Sequence, residues 1–232
     1  MITLLSILLL GFFLGMRHAT DADHVVAVTN IVSQQRSVRS AAWTGVFWGI
    51  GHSLTVLVVG GAIVAFGLVV SRKLGLSLEL SVAIMLIILG LMNLNAAFGW
   101  FGNPEESARR HAEENARIEW WFARIRVGHA LRPLLVGVVH GLAGSAAVAL
   151  LVLPLIRNAA GAIAYLMVFG AGTIAGMMLI TAAIALPVRY AAARSAGWHR
   201  VLGGLAGGAS FCFGAFLVYQ IGFVEKLFLA SP

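Results

Sequence analysis

Apolar and polar positions along the chain separate into long blocks. Residues 3–31, 42–70, 77–101, 132–156, 160–188 and 199–224 are each predominantly apolar, and each reaches the roughly 20 residues needed to cross the hydrocarbon of a bilayer. Six transmembrane helices are the predicted elements. The first differs from the others, because its apolar lead, 2–16, is too short to span alone. It qualifies only by carrying the polar stretch His18-Ala-Thr-Asp-Ala-Asp-His24 within it. The connection at 102–131 is the one long one. It is charged and reads as an amphipathic helix on the membrane surface, with Glu113 and Arg117 spaced i,i+4 and Trp120 and Trp121 at the interface. Its His111 and His129 are candidate access ligands. The predicted organisation is a first three-span unit over 1–101, a cytoplasmic connector over 102–131 and a second three-span unit over 132–232.

Composition makes this an all-α polytopic membrane protein. The chain is 60% hydrophobic and 11% charged with a mean hydropathy of +0.93, against roughly 25% charged residues in a soluble domain. The formal charge of +7 does not point to nucleic acid, because the basic residues lie between apolar runs. Connections after the first, third and fifth spans hold eleven of the sixteen, from Arg36 to Arg200. The other side holds Arg72, Lys73, Arg157 and Lys226, and Arg17 lies inside the first span. The positive-inside rule puts the eleven in the cytoplasm and both termini outside. No basic leader or small-residue cleavage site marks a signal peptide, so the first segment is expected to be retained. The single cysteine, Cys212, allows no internal disulfide or thiolate pair and is expected to pack as a small hydrophobe.

The two halves resemble each other, which points to an internal repeat. "RHATDADHVVAV" at 17–28 aligns with "VHGLAGSAAVAL" at 139–150, placing His18 opposite His140, and "GIGHSLTV" at 49–56 lies opposite "GAGTIAGM" at 170–177. Three spans per copy force the second to enter the membrane from the opposite side. The expectation is two inverted three-helix repeats with a site near the midplane, a common transporter design. Glycines four apart, such as Gly11/Gly15, Gly45/Gly49 and Gly137/Gly141, suit close helix packing in lipid.

The chemistry concentrates at residues 18–24, which hold the only two aspartates of the chain. A carboxylate or guanidinium at a span centre costs roughly 2.5–3.5 kcal/mol on an insertion scale, and such residues usually carry function. Imidazole and carboxylate together suit Ni²⁺, Co²⁺ or Zn²⁺, whereas Mg²⁺ and Ca²⁺ prefer oxygen alone. The candidate metal residues are His18, Asp21, Asp23, His24 and His52, the last lying in an apolar run of the second span. Ser53, Thr55, Asn93, Asn95 and His140 are candidate path or supporting groups. At about 100° per residue, a regular helix cannot aim His18, Asp23 and His24 at one ion. The helix is expected to break here, or the residues to serve successive sites.

"RHATDADHV" resembles the His-x4-Asp-His signature of the nickel/cobalt transporter family, on His18, Asp23 and His24, and "FWGIGHSLTV" resembles its second signature through Gly51, His52, Ser53, Thr55 and Val56. The long charged connector falls where that family has its large cytoplasmic loop. Longer members have eight spans and carry acids in two later signatures. Here those places read "VGVVHGLAGSAA" and "FGAGTIAGMML", without carboxylates, which is similar to the shorter bacterial branch of urease-accessory (UreH-like) nickel permeases. The resemblance implies that the first motif is essential for metal recognition, in a multi-pass protein of the bacterial cytoplasmic membrane. It also implies a secondary transporter taking up Ni²⁺ or Co²⁺ as substrate, with no permanent cofactor and with cytoplasmic nickel chaperones as candidate partners. The alternatives are an exporter of the same ions, a membrane accessory protein for metalloenzyme maturation, and a di-metal enzyme. The last is disfavoured because seven scattered histidines fall short of a histidine box. No phosphate-binding loop motif occurs.

Overall fold

The computed structural model describes residues 4–33, 35, 37–68, 71–99, 128–143, 156, 158–194 and 196–228. Among them the chain is helical: α1 (Leu4–His18), α2 (Ala22–Val32), α3 (Val38–Phe66), α4 (Arg72–Phe98), α5 (Gly128–Leu142), α6 (Ala159–Arg194) and α7 (Ala196–Tyr219), ending in a π-helical turn over Gln220–Val224. Four stretches are long and apolar enough to cross a membrane, namely Val38–Phe66, Arg72–Phe98, Ala159–Tyr190 and Arg200–Val224, while α1, α2 and α5 are shorter. Sequence capping explains several ends. Ser37 and Ser71 accept from the Ser40 and Leu74 amides at the starts of α3 and α4. Gly67 and Gly99 close the same two helices at φ 61° and 67°, a left-handed conformation that glycine adopts without a Cβ penalty.

The first predicted span, 3–31, is two helices rather than one. It stops at His18, turns through Ala19–Asp21 and restarts at Ala22. The Thr20 amide donates to the Arg17 carbonyl (2.8 Å) and the Asp21 amide to that of His18 (3.0 Å), and the Thr20 hydroxyl also donates to Arg17 O (2.5 Å). Threonine here offers the backbone an alternative to the helical ladder. Asp21 is extended (φ −60°, ψ 147°), and Asp23 lies in the first turn of α2, where a negative charge suits the positive end of the helix dipole. The fourth predicted span, 132–156, starts earlier, at Gly128, and α5 reaches Leu142. The connector expected at 102–131 lies outside the described residues except for the first turn of α5.

Helix α3 packs against both α5 and α6, α6 packs against α1, and α4 pairs with α7. Glycine lets the backbones meet. A Cβ on Gly15 would lie 2.1 Å from the Phe169 carbonyl oxygen, and one on Gly172 2.1 Å from that of Phe12. Between α3 and α5, a Cβ on Gly137 would lie 2.1 Å from the Trp48 oxygen and one on Gly51 2.1 Å from that of Leu134. In α4 and α7, Gly90 faces Gly207 O and Phe211 N, and Gly214 faces Ala83 O and Ile87 N. Lipid tails are as apolar as leucine, so this close van der Waals contact is what holds the helices. The outer faces remain apolar, with Leu5, Phe13, Val58 and Phe216 exposed. Cys212, expected to be buried, lies on that outer face. A small apolar side chain is tolerated there because the surrounding lipid is itself apolar.

Asn93, read from the sequence as a path group, is a helix-to-helix tie. Its side-chain amide donates to Asn30 O (2.8 Å), Asn30 Oδ1 and Ser33 Oγ (3.1 Å), a buried polar knot between α2 and α4. Asn95 lies half-buried two residues further along α4, and its carbonyl accepts from the Gly99 amide that closes the helix. Replacing Asn93 with leucine takes the donor from buried Asn30 Oδ1, while Ser33 Oγ keeps its bond to Asn30 O, and is expected to lower stability by about 1–3 kcal/mol. Thermal melting of the detergent-solubilised variant checks this, and an unchanged midpoint would contradict it.

Candidate metal centre

The break after His18 sets the geometry. Helix α1 ends at His18 and α5 ends at Leu142, two residues beyond His140, so two helix C-termini converge on the same region. Their carbonyl ends carry partial negative charge and favour a cation, as broken helices do at ion sites within membranes. The third wall is α3, which carries Trp48 and His52. Close approach of α5 at Gly51, Gly137 and Gly141 brings these side chains together: a Cβ on Gly141 would sit 2.7 Å from the His52 carbonyl oxygen.

Two three-donor groups result, one of His18, His24 and His52 and the other of Asp23, His24 and His140. Within each, the candidate ligand atoms all lie within 4.8 Å of one another. His24 belongs to both. His18 Nε2 lies 3.1 Å from His52 Nε2, which is the spacing of neighbouring ligands. Two nitrogens about 2.0–2.1 Å from one ion, subtending about 90–110°, are roughly 2.9–3.4 Å apart. His18 is 2% exposed and His24, His52 and His140 are 0% exposed, so an ion held there is shielded from bulk water.

The carboxylates orient the imidazoles. His18 Nδ1 bonds to Asp21 Oδ2 at 2.7 Å, which turns Nε2 toward His52. Asp23 bridges the second group, with Oδ1 3.1 Å from His24 Nδ1 and Oδ2 3.2 Å from His140 Nε2. His24 Nε2, His52 Nδ1 and His140 Nδ1 are buried without hydrogen-bond partners among the described residues. Buried polar atoms are normally paired, and a divalent ion at His24 Nε2 would satisfy one of them. Trp48, fully buried, stacks on His24 (centroids 6.0 Å, planes 27° apart) and meets His140 edge-on (5.4 Å).

The sequence-predicted site residues therefore divide. His18, Asp23, His24, His52 and His140 lie in the two groups. Asp21 lies in neither and holds His18 instead. Ser53 donates to Gly170 O (3.1 Å) and Thr55 to Gly51 O and Val138 O (3.1 and 3.3 Å). Both tie α3 to its neighbours, Ser53 to α6 and Thr55 to α5. Arg17 is exposed and pairs with neither aspartate among the described residues. The contribution of Trp48 was missed, since an aromatic in an apolar span gives no signal beyond packing.

Comparison with known proteins agrees with this chemistry. Residues 4–196 match NicO, the high-affinity nickel-transport protein family. The chain is 36% identical over 228 residues to the urease accessory protein UreH of Bacillus sp. (strain TB-90), covering 98% of this chain and 96% of that one. It is 34% identical over 97 residues to the hydrogenase nickel incorporation protein HupN of Bradyrhizobium diazoefficiens (37% of this chain, 24% of that one). To the high-affinity nickel transport protein of Cupriavidus necator it is 36% identical over 63 residues (27% and 18%). No solved structure matches the chain. With its break, its two helix ends and its four buried histidines, this chain belongs to the NicO family of high-affinity nickel-transport proteins.

Proposed function

We propose that the protein carries Ni²⁺, with Co²⁺ as second substrate, into the cell across the bacterial cytoplasmic membrane as a secondary transporter. The observation that carries this is the pair of three-donor groups sharing His24, buried where two helix ends meet. The ion exchanges ligands through His24, passing between the Asp23–His140 side and the His18–His52 side without leaving the imidazole shell. Imidazole-rich shells suit nickel and cobalt better than hard cations. A divalent ion moving inward down 100 mV gains roughly 4.6 kcal/mol, twice the single-charge figure, enough for roughly 10³-fold accumulation. ATP is not required. The relatives named for urease and hydrogenase favour nickel destined for metalloenzymes, with cytoplasmic chaperones receiving it. The chain is a carrier on this reading, and not an enzyme.

Two inverted three-helix repeats, with both termini outside, are part of the proposal. The close contacts repeat at a nearly constant offset between the halves, and this supports the repeat. Gly15 against Phe169 O corresponds to Gly137 against Trp48 O, and Gly172 against Phe12 O to Gly51 against Leu134 O, each at 2.1 Å. The α4–α7 pairs follow the same exchange, with Gly90 and Gly214 equivalent. In the repeat, α1 and α5 are equivalent half-helices entering from opposite faces. His52 has Thr173 as its counterpart, so the centre itself is asymmetric.

Accumulation of radioactive nickel by cells expressing the protein, and by proteoliposomes holding it alone, tests transport and direction. Expression that lowers cellular nickel would mean export, and absence of flux in proteoliposomes would mean an accessory role. Because Asp21 only orients His18, Asp21→Asn is expected to weaken nickel binding by about 10–100-fold while leaving flux measurable. Loss equal to that of His18→Ala would instead make Asp21 a direct ligand.

A further inference from the structure

A cavity of about 490 Å³ opens beside the second donor group. It is lined by Asp23 at the start of α2, by Leu76, Glu79 and Val82 on one face of α4, by Ala143, and by Gln220 and Glu225 beyond the end of α7. The described residues contain four acidic side chains, Asp21, Asp23, Glu79 and Glu225, and three of them line this space. Glu225 pairs with the guanidinium of Arg72, which does not line the cavity and is itself largely exposed. Glu79 has no ion-pair or hydrogen-bond partner among the described residues. An unpaired carboxylate seven residues into an apolar helix is costly unless it faces water or a cation.

We propose that this cavity is the vestibule through which the hydrated divalent cation reaches Asp23, and that Glu79 is the carboxylate that captures it. The proposal rests on the transport reading above. Size and continuity carry it. At about 30 Å³ per water, a cation with six waters occupies on the order of 180 Å³, so it enters without dehydrating. Leu76, Glu79 and Val82 are spaced three apart and form one stripe down α4, with Glu79 roughly 10 Å along the helix from Arg72. At the inner end, the carboxylate that lines the cavity is the same one that bridges His24 and His140. A dry centre of imidazoles cannot take a fully hydrated ion. The vestibule supplies the place where water is retained until Asp23 and the histidines replace it. Arg72 offsets the charge of Glu225 at the mouth, so the net attraction lies deeper, at Glu79 and Asp23.

Low-dielectric walls focus such a field on the ion. Glu79→Gln is therefore expected to raise the KM for Ni²⁺ uptake into proteoliposomes roughly 3–10-fold, and to flatten its dependence on salt. Equilibrium binding of Ni²⁺ to the detergent-solubilised protein should stay within about 2-fold, since no histidine is touched, and Glu79→Asp should restore much of the KM. A Glu79→Cys variant in a Cys212→Ser background should react with a membrane-impermeant thiol reagent from one side only, more slowly when Ni²⁺ is present. Melting temperature confirms that each variant is folded. Wild-type flux with an unchanged KM in Glu79→Gln, or a thiol at position 79 inaccessible from both sides, overturns the vestibule while leaving the transporter intact. Absence of wild-type flux overturns the transport reading itself.

Discussion

Replacing His24 with alanine is expected to stop nickel uptake, lowering the initial rate by more than about 100-fold, beyond the ~10–100-fold typical of losing an outer partner of a metal ligand. The reason is its position. His18 and His52 serve one donor group and Asp23 and His140 the other, but His24 serves both. Losing His52 leaves His18 and His24 to hold the ion, and losing His140 leaves Asp23 and His24. Losing His24 leaves two pairs with nothing between them. Single alanine variants of His18, His52 and His140 should each fall less far than His24→Ala. Uptake rates of the four variants, normalised to folded protein in the membrane, provide the check. If His24→Ala retained uptake while His52→Ala did not, ligand exchange through His24 would be wrong.

The largest expected effect on stability is at Gly137. Its missing Cβ would stand 2.1 Å from the Trp48 carbonyl oxygen and 2.9 Å from the His52 amide nitrogen, both backbone atoms that cannot swing aside. Valine there must push α5 off α3. Overpacking a core costs about 1–3 kcal/mol and occasionally more, and a clash with backbone belongs at the upper end. Gly137→Val is expected to lose at least about 3 kcal/mol, and with it the placement of His52 and His140. Gly61, also on α3, meets nothing within 4 Å, and Gly61→Ala should be neutral or stabilising by up to about 1 kcal/mol through helix propensity. Thermal melting in detergent separates the two, and equal midpoints would show that the helix contact is not tight.

Much of this centre was readable in the chain because a membrane tolerates so few ionisable groups. Two aspartates and two histidines within seven residues of a greasy segment required a cation or a partner, and the step of about 100° per residue required a break or a relay. The structure contains both a break, at Ala19–Asp21, and a histidine common to two groups. What the sequence could not disclose was which carboxylate touches which ring. Asp21 and His18 are three apart across the end of a helix, and only the turn geometry decides that Asp21 orients and Asp23 bridges. The polar residues read as path or supporting groups show their partners only in the structure. Asn93, Ser53 and Thr55 satisfy backbone and side-chain partners on neighbouring helices, because a polar group in lipid seeks any donor or acceptor. Glu79 and Glu225 were passed over since each stands far from the other along the chain, and only packing of α4 on α7 brings them to one cavity. The proposed repeat rests in the sequence on a few aligned glycines and one histidine pair, and the matching backbone contacts of Gly15, Gly137, Gly51 and Gly172 support it.

X-ray absorption at the nickel edge of the purified, nickel-loaded protein tests the central claim most directly. Nickel held by the buried centre should display outer-shell scattering from at least two imidazoles, weakened in His24→Ala, which belongs to both donor groups, and lost when His18, His24, His52 and His140 are all replaced by alanine. A shell of oxygen alone, identical in wild type and in the variant lacking all four histidines, would contradict it.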